Sequence, residues 1–439
     1  MKKMIFPLIL LAGGLTLLYF YSHQITGPGQ SVKNMNQLQG KIETQDNQSG
    51  ELAEQVGLAG QEESDADFIE AYWAHPIATK GDAPHTWSAL EKNLKPEACA
   101  QCHVEQFDAW KKSLHAGAYS PGLIGQFPGM GHGEGNDCLK CHAPLAEQKY
   151  ISNQDMLGSL KTKLQHPMGF SEKGELSESG LPLRHAGVTC AACHVRGWQR
   201  FGPPQRGTGK TGKVKADAHD GFTGIKGFEE SNFCASCHQF PQSYAINGKP
   251  LENTVKEWQA SRFAREGVHC QNCHMPDRKH EFKGIHDLEM TKKGLDFKLE
   301  KKGKGAVLRI HSKWIGHAFP TYVTPKVVVL AEAIDHEGNV LKTWQWEIIR
   351  EVYFDDGWKE KRDTRLMPDE IRDFKISEAP AKTDQLHYRV KVIPDHFYKG
   401  VYEGLLNGDL EVDAETLIRQ AVDQAESNDY TLYEERIRL

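Results

Sequence analysis

Cys270-Gln271-Asn272-Cys273-His274 is one of five copies of a single short pattern. The others are Cys99-Ala100-Gln101-Cys102-His103, Cys138-Leu139-Lys140-Cys141-His142, Cys190-Ala191-Ala192-Cys193-His194 and Cys234-Ala235-Ser236-Cys237-His238. Two residues between the cysteines suit one helical turn, so both thiols and the next imidazole are presented together. That spacing fits a porphyrin. The thiols add to its two vinyl groups as thioethers, and the imidazole takes the iron from one side. The chain has 10 cysteines, and the five copies use all of them. A disulfide framework gives no reason for a histidine after every second cysteine. Structural zinc joins two such pairs into four ligands and needs no trailing histidine, so five copies fit it poorly. The reading is therefore five covalently attached haem c groups, with His103, His142, His194, His238 and His274 as proximal iron ligands.

The motif histidines fall within residues 103–274, so each macrocycle has only a few dozen residues of chain around it. That is too little for an ordinary side-chain core. The porphyrin faces themselves must supply the apolar filling, and crowding brings neighbouring irons close. Short helices such as Pro96–Lys112 carry the ligands, with Pro96 in the first turn where its missing N–H costs nothing. The Gly- and Pro-rich links Ser120–Gly135 and Arg200–Gly212 read as irregular. Ahead of the motifs, Asp65–His75 reads as a helix with Phe68, Tyr72 and Trp73 on its apolar face.

Beyond Leu295 the cysteines stop and the period changes to two. Val327–Ile334 reads as a strand followed by the turn Asp335-His336-Glu337-Gly338-Asn339, and Val340–Phe354 as a second long strand. His387–Val392 alternates, with Tyr388, Val390 and Val392 on one side. Near the end, Asp413 is placed to cap a helix carrying Leu417, Ile418, Ala421, Val422 and Ala425 on one face. The expected fold class is α+β. Residues 65–294 form a mostly helical, loop-rich pentahaem domain, and residues 295–439 a small antiparallel, sandwich-like β domain with a C-terminal helix.

The first 64 residues read differently. Lys2 and Lys3 precede an apolar run from Met4 to Tyr21, the pattern of an export signal. Residues 1–22 are expected to stay attached as a transmembrane anchor, the alternative being an exported soluble protein. Residues 23–64, rich in Gln, Asn, Gly, Ser and Glu, read as a flexible linker. Both readings take the chain to the periplasmic side of a bacterial inner membrane. A formal charge of −6 with no basic tract gives no footprint for nucleic acid. No phosphate-binding loop, dinucleotide fingerprint or Ser-His-Asp arrangement stands out.

The chain has 21 histidines, far more than the five motifs need. A second imidazole on an iron makes it an electron-transfer centre, whereas an open position admits small molecules. His115, His185, His286 and His317 are expected as distal ligands, and His132 and His280 are further candidates. Met130, Met168 and Met275 fit side-chain packing better than ligation.

Several stretches carry a resemblance. Trp110-Lys111-Lys112-Ser113-Leu114-His115, Ser120-Pro121-Gly122-Leu123, Gly187-Val188-Thr189-Cys190 and Gly267-Val268-His269-Cys270, with Met275-Pro276 after the last motif, resemble multihaem cytochromes related to the tetrahaem electron carrier of ammonia oxidisers. That group is similar in haem arrangement to hydroxylamine oxidoreductase and the pentahaem nitrite reductases. The resemblance spans roughly residues 70–325. It implies haems packed as stacked and perpendicular pairs, with His115, His185, His286 and His317 as distal ligands. Pentahaem nitrite reductases carry a lysine as proximal ligand at the catalytic haem, whereas all five motifs here end in histidine. The expected function is electron relay between other cytochromes or redox enzymes, with a quinol-oxidising membrane protein as one partner. The alternative is an oxidoreductase with one open haem, acting on a small nitrogen compound or a peroxide.

Overall fold

Nine strands after Leu295 build two antiparallel sheets and a hairpin. In this computed structural model, which describes residues 65–175 and 181–439, they are β1 (Leu295–Lys302), β2 (Gly305–Ser312), β3 (Lys326–Ile334), β4 (Val340–Ile348), β5 (Arg350–Phe354), β6 (Trp358–Asp363), β7 (Ile371–Ile376), β8 (Gln385–Ile393) and β9 (Tyr430–Arg438). One sheet has the order β4-β3-β8-β9 and the other β7-β2-β1. Period-two alternation turns Val327, Val329, Ala331 and Ala333 of β3 inward beside Leu386, Tyr388, Val390 and Val392 of β8. Ala306, Leu308 and Ile310 of β2 close the same core from the second sheet. The Tyr388 hydroxyl donates to the Ala306 carbonyl at 3.1 Å across the layers.

The single long strand expected over Val340–Phe354 is two strands in different sheets. The break falls at Ile349, whose N–H donates to Thr364 Oγ1 at 3.0 Å. Arg350 follows, fully buried. Its guanidinium donates to Glu360 at 2.9 Å and to the carbonyls of Pro250 and Lys249. A buried cation must find acceptors. These belong to β6 and to the Ala245–Pro250 hairpin of the motif-bearing region, so β5 leaves the first sheet and pairs with β6.

Two helices follow β8, α1 (His396–Leu405) and α2 (Val412–Ser427). The cap of α2 is Glu411, whose carboxylate accepts from the Ala414 N–H at 3.0 Å, and not Asp413. Ala414 and Leu417 of α2 pack into the motif-bearing region with Tyr119, Ile124, Phe127 and Leu139. Past α2, β9 returns to pair with β8. This strand was not expected, because only one narrow face of its charged sequence is apolar.

The motif-bearing region has no single core. Small clusters, such as Tyr72, Trp73, Phe201, Phe228 and Phe233, or Phe107, Trp110 and Phe170, stand around an interior cavity. The helix expected over Pro96–Lys112 is two, Pro96–Ala100 and Val104–Trp110, parted at His103 with φ −107° and ψ 53°. Ser120–Gly135 is more regular than expected. Ser120 caps a helical turn at Pro121–Ile124, and His132 opens a helix that ends at His142. The expectations for residues 1–22 and 23–64 fall outside the described residues. Among the described residues, no helix is long and apolar enough to cross a membrane.

Small residues let α2 dock. A side-chain carbon at Gly122 would collide with the Tyr402 ring, and one at Gly125 would lie 2.9 Å from Ile418. Gly122→Val is therefore expected to destabilise the protein by about 1–3 kcal/mol, the usual range for overpacking, read as a lower midpoint of chemical denaturation. An unchanged midpoint would show that this contact does not hold α2.

Candidate cofactor site

All five motifs form helical turns. Cys138–His142 and Cys234–His238 end longer helices, and Cys190–His194 and Cys270–His274 are helices on their own. At the first motif the turn is closed by the His103 N–H donating to the Cys99 carbonyl at 2.8 Å. The five open into one cavity of 2930 Å³ lined by every motif histidine.

The motif imidazoles are oriented through Nδ1. His142 donates to the Ala118 carbonyl at 2.9 Å, His194 to Phe201 at 2.8 Å and His274 to Lys283 at 2.6 Å. His238 instead meets a carboxylate, Glu252 Oε1, at 3.0 Å. Each arrangement fixes the tautomer and leaves Nε2 as the metal-binding atom.

Three motif rings face a second imidazole. His194 and His280 have ring centres 6.0 Å apart, His238 and His115 6.2 Å, and His274 and His317 6.4 Å. A metal–nitrogen bond of about 2.0 Å on each side, with each ring centre roughly 1 Å further out, gives a separation of this size. The three partners are held neutral. Burial pushes His115 down to about 3 and both His280 and His317 to about 4, so each keeps a free lone pair. His317 Nδ1 donates to the Ala318 carbonyl at 3.0 Å, which leaves its Nε2 toward His274. The donor set, the ring separations and the cavity fit haem c groups with two axial imidazoles.

Two expected ligands, His115 and His317, thus stand opposite motif histidines. His286 lines the cavity, but its Nε2 is bonded to Asp395 at 3.0 Å. His185 is fully buried against Tyr119, 4.8 Å between ring centres, and does not line the cavity. Its turn is pinned by Arg184, which binds the Gln148 carbonyl and Asp155. His132 lies outside the cavity lining, with Nδ1 on Asn153 Oδ1 at 2.8 Å. His280, a candidate on the same footing as His132, does face a motif histidine. It lies six residues beyond the fifth motif yet faces the third, a pairing with no local sequence signal. His75 and His219 also line the cavity. His219 Nδ1 donates to the Gly221 carbonyl at 2.8 Å and the ring acts electrostatically on His103, which makes it the candidate partner of the first motif. Among the described residues, no imidazole faces His142 at the separation of the three pairs.

The motifs are also chained together. The helix Pro96–Ala100 packs against Cys190–His194, the helix Asn232–His238 packs against His132–His142, and the Cys270 N–H donates to Ser231 Oγ, just before the fourth motif, at 3.1 Å. Cys193 lies close enough to Cys234 and Cys237 to act on both electrostatically. The order is first, third, fourth, fifth, with the second motif branching from the fourth.

The chain superimposes on a penta-haem cytochrome c552 from Thermochromatium tepidum with a TM-score of 0.52, at 19% identity, over 80% of this chain and 100% of that one. That likeness is one of fold. The family described as cytochrome c554 and c-prime matches residues 98–165, which hold the first two motifs. No curated protein matches the chain.

Histidine replacement separates true ligands from bystanders. His115→Ala, His280→Ala and His317→Ala are each expected to turn one haem in five high-spin in the ferric absorption and paramagnetic resonance spectra. His286→Ala and His132→Ala are expected to leave the spectra unchanged. The reverse pattern would refute the pairing.

Proposed function

We propose that the chain is a pentahaem c-type cytochrome that relays electrons between redox partners. The observation that carries this reading is the set of three facing imidazole pairs at 6.0–6.4 Å inside one cavity. Haem c supplies one-electron exchange at iron. The ten motif thiols would attach it, and at the third, fourth and fifth motifs paired imidazoles would hold its iron from both sides. Five motifs in mutual contact make a branched conductor rather than isolated centres. Other cytochromes or redox enzymes, and a quinol-oxidising membrane protein, are the proposed partners. The apolar run Met4–Tyr21 supports anchoring at the periplasmic side of an inner membrane. The resemblance to carriers of ammonia oxidisers supports the haem packing.

Two measurements test the reading. The mass of the purified holoprotein is expected to equal the polypeptide plus five haem groups, and a smaller mass would overturn it. In cell fractionation the protein is expected with the membranes and accessible from the periplasm; release as a soluble periplasmic protein would sink the anchor alone.

A second reading has its own support. His142 is the motif histidine that no second imidazole faces at the separation of the three pairs, among the described residues. An open position there would suit reduction or oxidation of a small nitrogen species or a peroxide. On this reading cyanide binds the resting ferric protein at one site. Failure of cyanide and nitric oxide to bind would leave only the relay.

A further inference from the structure

Glu252 is the one carboxylate that takes the Nδ1 proton side of a motif histidine among the described residues. The corresponding acceptors at His142, His194 and His274 are main-chain carbonyls. Its placement is rigid. The Glu252 carbonyl accepts from the Phe240 N–H at 2.9 Å, and Gln239 donates to Asn253 Oδ1 at 3.1 Å, so the strap carrying Glu252 is tied to the residues directly after His238. The side chain is mostly buried, at 15% exposure, so solvent screens its charge weakly.

The position in the network matters as much. The helix of the fourth motif packs against that of the second, the Cys270 N–H of the fifth donates to Ser231 Oγ beside it, and Phe233 at its start shares an apolar cluster with Cys193 of the third. Every route between the outer motifs passes it. A carboxylate acceptor draws the imidazole proton toward itself and makes Nε2 a stronger donor to iron. It therefore stabilises the ferric over the ferrous state more than a carbonyl does.

We propose that Glu252 is a positioning residue that sets the haem at Cys234–His238 to the lowest reduction potential of the five. Electrons then rest on the outer sites and cross the junction without accumulating on it. The inference rests on the haem reading of the motifs, and the experiment separates the two.

The test is a spectroelectrochemical titration of the full holoprotein and of Glu252→Gln, which removes the charge and keeps the shape. One-fifth of the haem absorbance, the most negative component, is expected to move to higher potential. The expected size is at least a tenfold change in its oxidised-to-reduced ratio at fixed potential, about 59 mV for one electron. Glu252→Asp keeps the charge and is expected to hold that component near its original place. Five haems by mass with no component shifted in Glu252→Gln would overturn the inference while leaving the relay intact. So would equal shifts in both variants, since lost packing would then be the cause. A mass short of five haems would instead sink the underlying reading.

Discussion

Three pairs of imidazoles held apart across one cavity impose the constraint from which the other features of the fold follow. Desolvation holds His115, His280 and His317 neutral, and each sits opposite another imidazole across a gap too wide for a hydrogen bond. Imidazole pairs at that spacing leave room for a metal ion between them. The Nδ1 bonds of the motif histidines to carbonyls and to Glu252 complete the arrangement by fixing which nitrogen points inward.

That constraint explains the unusual interior of residues 96–294. A chain that must leave a 2930 Å³ space cannot also build a continuous side-chain core. Its stability comes from small aromatic clusters at the rim, and from docking to a part of the chain that does have a core. The sandwich formed by β1–β9 has one. The fully buried Arg350 reaches from it to the carbonyls of the Ala245–Pro250 hairpin, and α2 lays Ala414 and Leu417 among Ile124, Phe127 and Leu139. His317 lies between β2 and β3 and faces His274, so the last of the three pairs joins the sandwich to the fifth motif. The β region is thus part of the site and not an appendage.

Contacts between the motif-bearing turns give the network its shape. They place the fourth motif where three arms meet, and the chain has put its one carboxylate-bonded motif histidine there. In the proposed relay, a junction that holds electrons poorly favours passage over storage.

The attachment chemistry is legible in the residue order alone. Ten cysteines in five Cys-x-x-Cys-His turns depend only on local spacing, as do the alternations of Val327–Ile334 and His387–Val392 and the apolar face of α2. His115 and His317 were also legible, through the surplus of histidine and the company they keep. Tertiary structure decided the rest. His280 and not His286 meets a motif histidine, because Asp395, more than a hundred residues away, holds the Nε2 of His286. His185 is turned aside by the anchoring of Arg184, and the strand expected to run on through Ile349 breaks to bury Arg350. The physical reason is common to all of these. A motif is closed by bonds within one helical turn, whereas a distal ligand, an ion pair or a strand end is settled by whichever distant group satisfies a buried polar atom, and sequence spacing carries no record of that distance.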